Sequence, residues 1–181
     1  MGVVLLPTPD SRLPGVSSSV LMRYLLVLLA ALVPFSLPAQ ELGIPVGAKA
    51  PAVVVESLDG KPVSLDRWVG KGPVLIEFWA TWCPNCKELE PTLLAAQKKY
   101  GSRVKFLVVA VSVNQSPALV RRYATKHALP ADVLFDRRGA ATDAYDVPAT
   151  SYVVVLDRAG RVVYTGQGGK QDLESAIKRA L

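Results

Sequence analysis

The chain is poor in residues that hold metals. Its 181 residues include two cysteines, one histidine and two methionines. A zinc centre takes about four ligands, and one CxxC with His127 falls short of that. Met1 and Met22 both precede the globular part, which argues against a copper carrier. Long basic runs are missing too. The longest are the pairs at 98–99, 121–122 and 137–138, and no basic stripe with interleaved aromatics occurs. The net charge of +6 therefore describes a solvated surface, and no nucleic-acid partner is expected. Residues 1–39 supply only Arg12, Arg23 and Asp10, leaving 19 basic and 14 acidic groups for the remainder. No internal repeat is visible.

The N-terminal apolar run, residues 24–35, is about 12 residues long, whereas a membrane-spanning helix needs about 20. No cysteine follows it, which excludes a lipoprotein anchor at this place. Arg23, the apolar run and Ala39 together have the form of a secretory signal over residues 22–39. Residues 1–21 are Pro/Ser-rich with no basic lead, so Met22 is the expected start. The expected location is periplasmic or secreted, with an uncleaved inner-membrane anchor over 22–39 as the alternative. Export leads to an oxidising compartment in which disulfides persist.

What remains is enough for one domain with a real core. Residues 40–48 read as a Pro/Gly-rich lead-in and 49–181 as the domain. "AVVVES" and "LDGKPVSL" suggest two short strands around Asp59-Gly60. "GPVLIEFWA" and "VKFLVVAVSV" are nearly unbroken apolar runs, the pattern of strands buried on both faces. Leu89, Leu93, Ala96 and Tyr100 recur at helical spacing before Gly101, and Ser116-Pro117 opens a second helix. "ADVLFD" reads as a strand and "RRGAATDAYDV" as a short helix ending before Pro148. "SYVVVLDRAGRVVYTG" reads as a hairpin turning at 157–160, and "KQDLESAIKRAL" as a closing amphipathic helix. The expected fold class is α/β, a central mixed β-sheet flanked by helices on both faces.

Both cysteines lie in "WCPNCK". A buried strand feeding Cys83, Pro84, Asn85 and Cys86 into a helix puts Cys83 at the helix N-terminus. There unpaired N–H groups and the helix dipole favour a thiolate, the reactive form. Cys86, one turn inward, lies within disulfide reach. A loop this short makes a weak structural staple, so redox chemistry explains the spacing better. Glu77 precedes Cys83 by six residues. Buried beside Cys86, its carboxylate would hold a raised pKa and serve as base for the second thiol; pairing with a lysine is the alternative. His127, near a helix end, reads as a surface or capping residue.

"VLIEFWATWCPNCKELEP" resembles the active-site segment of thioredoxin-fold proteins, in particular the exported TlpA/ResA/CcmG-type thiol–disulfide oxidoreductases. The likeness runs from about residue 49 to 181. It implies a thioredoxin-like fold and catalysis by Cys83 and Cys86 without a cofactor. Glu77 falls where many thioredoxins carry a buried aspartate, and Pro91 matches a helix-kinking proline. The resemblance also implies substrate contacts from Trp82, Pro84, Asn85 and the loop holding Pro148, Thr150 and Ser151. Implied partners are a protein disulfide, of secreted or cytochrome-maturation clients, and a membrane thiol electron donor.

Two departures stand out. The family has a cis-proline opposite the cysteines, and counting back six residues from Asp157 places Ser151 there; Pro148 lies three residues early and takes that place only if the strand carries an insertion. A cis bond without proline costs about 3–4 kcal/mol, so a trans Thr150-Ser151 bond is expected. Its N–H is then a donor for the Cys83 sulfur, and its hydroxyl can approach a metal on the two sulfurs. The glutamate often found three residues after the second cysteine is replaced by Leu89, between Glu88 and Glu90. The expected function is an exported disulfide reductase. A thiol oxidant of folding proteins and a non-catalytic metal- or partner-binding domain are the alternatives. No Thr-x-x-Cys precedes Cys83, which disfavours the related peroxiredoxin branch.

Overall fold

A computed structural model of the chain describes residues 42–129 and 132–181. The start at Met22 and the signal over 22–39 lie outside the described residues. Among the described residues no helix is long and apolar enough to cross a membrane.

Seven strands form one sheet. In chain order they are β1 (Val54–Ser57), β2 (Pro62–Ser64), β3 (Val74–Trp79), β4 (Lys105–Val111), β5 (Val133–Asp136), β6 (Tyr152–Leu156) and β7 (Val162–Gln167). Their spatial order is β2-β1-β5-β4-β3-β6-β7. The apolar runs occupy the middle, as fully apolar strands must when both faces are covered. β3 is buried at all six residues, and it pairs parallel with β4 and antiparallel with β6. The hairpin β6–β7 turns at Asp157, whose Oδ1 accepts from the N–H groups of Ala159 and Arg161. Gly160 takes φ +76 there, and a Cβ would stand 3.0 Å from Val69 Cγ1.

The helices are α1 (Pro84–Tyr100), α2 (Pro117–His127), α3 (Ala140–Ala144) and α4 (Leu173–Lys178). Ser116 caps α2 by accepting from Leu119 N–H, and Pro117 starts it. Pro91 sits inside α1. β3 distributes its side chains alternately. Leu75 and Trp79 pack with Leu89 and Leu93 of α1, Val120 of α2 and Leu173 and Ile177 of α4. Val74, Ile76 and Phe78 pack on the other face with Ala141 of α3, Tyr145 and Leu65. Helices thus cover both faces of a mixed sheet.

The lead-in is tied to the domain. Gly47 N–H donates to Val162 O and Ala50 N–H to Gly160 O, forming a bridge beside β7. Ile44 is buried in the core of the α3 face and donates its N–H to Tyr145 O.

Candidate active site

β3 ends at Trp79, and the chain turns through Ala80 to Trp82 before α1 begins. Cys83 is the N-cap residue of α1, with extended backbone, and Pro84 follows at the first helical position. The Cys83 Sγ accepts a hydrogen bond from the Cys86 N–H at 3.1 Å. The sulfur therefore occupies the place where a helix N-terminus receives negative charge. Cys83 and Cys86 are joined as a disulfide with Cα atoms 5.3 Å apart. They are recessed: Cys83 is 3% exposed and Cys86 1%.

Pro84 and Asn85 are exposed beside them. Trp82 is 43% exposed, and its indole N–H donates to Val113 O at 2.8 Å. The Thr81 N–H donates to Gln115 Oε1 at 2.9 Å, and Gln115 Nε2 donates to Val111 O. The segment after β4 thus braces the cysteine turn. Gln115 carried no sequence signal, because its partner lies 34 residues away.

Ser151 lies immediately before β6. Since Tyr152 is opposite Phe78, Ser151 is level with Trp79, at the strand end from which the cysteine turn departs. Thr150 is half-buried and Pro148 exposed, and no cis peptide occurs among the described residues. Ser151 has φ +62 and is fully buried. Its N–H donates to Phe78 O at 2.8 Å, and its hydroxyl donates to Gly168 O at 3.0 Å. Its carbonyl accepts from Gly168 N–H and Gln171 Nε2. The expectation that its N–H faces the Cys83 sulfur and its hydroxyl a metal is therefore corrected. Both donors are committed to the loop's own backbone, because the left-handed conformation turns them toward β3 and Gly168.

Glu77 is buried at 2% exposure on the face of β3 that carries Leu75 and Trp79, the face packed with Cys86 and Leu89. Its strand neighbours are Val108 and Val153. Among the described residues no lysine pairs with it, and Oε1 has no hydrogen-bond partner. Burial first, then the charge of Glu90, pushes its pKa up to about 8. A carboxylate in that range can take a proton from a thiol near neutral pH.

Glu90 itself went unassigned in the sequence. It follows Cys86 by four residues on α1, and its Oε2 accepts from the Tyr123 hydroxyl at 3.0 Å. Its Oε1 lies 2.8 Å from His127 Nδ1. Tyr123 stacks on His127 with ring centres 3.9 Å apart and meets Trp79 edge-on. Burial and the Glu90 carboxylate push the Tyr123 hydroxyl up to about 12. His127 is thus no isolated surface or capping residue. The spacings Cys86–Glu90 and Tyr123–His127, each four apart, were the available signal.

The sheet, the helices on its two faces and the cysteine pair at a helix N-terminus define a thioredoxin fold. Residues 45–181 match the Redoxin family. The thioredoxin-like protein YneN of Bacillus subtilis is 34% identical over 143 residues, covering 76% of this chain and 82% of that one. The thiol–disulfide oxidoreductase ResA of Geobacillus kaustophilus is 31% identical over 162 residues, covering 85% and 90%. A Chlorobium tepidum structure described as a DsbE thiol:disulfide interchange protein superposes with TM-score 0.64 at 27% identity, covering 76% and 98%. The chain belongs to the Redoxin family, as a ResA- and CcmG-like thiol–disulfide oxidoreductase.

Proposed function

We propose that Cys83 and Cys86 form the redox centre of an exported protein-disulfide reductase. The observation that carries this reading is the Cys83 sulfur at the N-cap of α1, accepting the Cys86 N–H. The Cys83 thiolate attacks one sulfur of a substrate disulfide, and the other sulfur leaves as a thiolate. Glu77 takes the proton from Cys86, whose thiolate then attacks the Cys83 sulfur and expels the second substrate thiolate. Two electrons pass from the dithiol to the substrate, and Cys83–Cys86 becomes a disulfide. A membrane thiol donor returns it to the dithiol. Trp82, Pro84 and Asn85, exposed beside the recessed sulfur, receive the substrate chain, together with Pro148 and Thr150 of the loop that buried Ser151 anchors at the same strand end. Secreted proteins and proteins of cytochrome maturation are the client classes, and residues 22–39 supply the export signal.

The measured reduction potential tests the direction. A value near or below about −270 mV supports a reductase, and one near −120 mV makes the chain a thiol oxidant. In the same reduced sample Cys83 should alkylate well below the free-thiol pKa of about 8.5. Equal titration of both thiols near that value removes the nucleophile assignment.

A further inference from the structure

Thr81 and Trp82 are the last two residues before Cys83, and both are tied to the segment that follows β4. Gln115 uses both ends of its amide there. Its Oε1 accepts from the Thr81 N–H at 2.9 Å, and its Nε2 donates to the carbonyl of Val111, the last residue of β4. Val113 O takes the Trp82 indole N–H at 2.8 Å. Between these two acceptors Asn114 has φ +52, a left-handed residue in the middle of the segment. The Cys83 N–H closes the turn onto Ala80 O at 3.1 Å. Residues 80–83 are thus bolted through one side chain to the end of β4, a strand inside the sheet. Cys83 leaves that turn with the extended N-cap backbone that brings its Sγ to the Cys86 N–H. In the oxidised chain the Cys83–Cys86 bond also holds the sulfur in place. Once that bond is reduced, the turn has to hold it.

We propose that Gln115 is a positioning residue for the nucleophile, keeping the reduced Cys83 sulfur at the N-terminus of α1. The inference rests on Cys83 being the attacking thiol. A primary amide suits the task because it accepts and donates at once. A methionine of similar length does neither. A sulfur that drifts from the helix N-terminus loses the N–H and the dipole that favour its charge. The dithiol form then loses stabilisation that the disulfide form does not use, so the exchange equilibrium moves toward the disulfide. A Gln115 that only stiffened the fold would support both forms alike and leave the Cys83 titration untouched.

The full-length chain and its Q115M and S116A variants are compared by the pH dependence of alkylation and by the exchange equilibrium with glutathione. S116A is the control for plain loss of stability: it removes the cap that accepts from the Leu119 N–H, one residue beyond Gln115, without touching the cysteine turn. Q115M should move the Cys83 alkylation midpoint up toward the free-thiol value of about 8.5. It should also shift the equilibrium constant several-fold toward the protein disulfide, and S116A should do neither. Q115M with the midpoint and constant of the wild type overturns the role, whatever its stability; so does an equal shift in S116A. If Cys83 of the wild type already titrates with Cys86 near the free-thiol value, the nucleophile reading falls, and the role of Gln115 with it. W82F lacks the indole N–H that Val113 O accepts, and it carries the test if Q115M does not fold. Its midpoint should move in the same direction, and wild-type values in W82F would then overturn the brace.

Discussion

Two buried carboxylates lie on opposite faces of the sheet. Asp136 ends β5 on the α3 side, where Leu134 points. Its oxygens accept from Ala141 N–H at 3.2 Å and from the N–H and hydroxyl of Thr142, each at 2.8 Å. Glu77, on the α1 side, has an oxygen without a partner and a second carboxylate nearby. The first desolvation cost is offset by hydrogen bonds, and the side chain anchors the start of α3. The second is left standing, and the result is a group whose proton affinity matches thiol chemistry. The filled lone pairs of Asp136 anchor the fold, whereas the unfilled one of Glu77 leaves it the raised proton affinity that its proposed role uses. Ser151 falls on the structural side by the same criterion, with its N–H, hydroxyl and carbonyl all engaged.

The largest effect should come from the unsatisfied acid. Between pH 4.5 and about 8 the folded chain holds a proton on Glu77 that the unfolded chain has released. Stability therefore declines as pH rises across that window, by as much as about 5 kcal/mol from this group alone. Glu77→Gln should flatten that slope, so its stability relative to wild type rises from pH 5 to pH 9 in urea titrations. Parallel curves for the two proteins would place Glu77 among ordinary surface-like acids and erase the contrast.

Asp136→Ala tests the other side. Loss of three hydrogen bonds to a buried carboxylate should cost about 3 kcal/mol, read as a lower denaturation midpoint. The rate of disulfide exchange per folded molecule should not change. A shifted pH–rate profile would mean that the two faces are coupled.

The smallest effect sharpens the place of Ser151. Proline cannot adopt φ +62 and has no N–H for Phe78 O, whereas glycine accepts both. Ser151→Pro should therefore be less stable than Ser151→Gly by at least about 1 kcal/mol. Equal stability would show that the loop rebuilds around proline as it does in proteins with a cis-proline.

Much of the fold was legible because its causes are local. Unbroken apolar runs announce strands covered on both faces, so β3 and β4 could be read directly. Ser116-Pro117 carries its own cap, and Asp157–Gly160 its own turn, since those bonds join residues four or fewer apart. The cysteine pair was legible for the same reason: a helix N-terminus beside a CxxC is a short-range object.

The groups around that pair were set at longer range. Glu90 and His127 lie 37 residues apart, and Ser151 and Gly168 lie 17 apart. Whether Glu77 paired with a lysine or lay unpaired in the field of a second carboxylate depended on which helix face came down on β3. That is a matter of packing α1 and α2 on one side of the sheet, which no local pattern encodes. By itself the sequence determined the strands, the helix starts and the position of two sulfurs at the head of α1, because hydrophobic period and capping act within a few residues. Tertiary structure alone decided which buried polar groups are satisfied. That outcome depends on which atoms from distant segments come within hydrogen-bond distance once water is excluded.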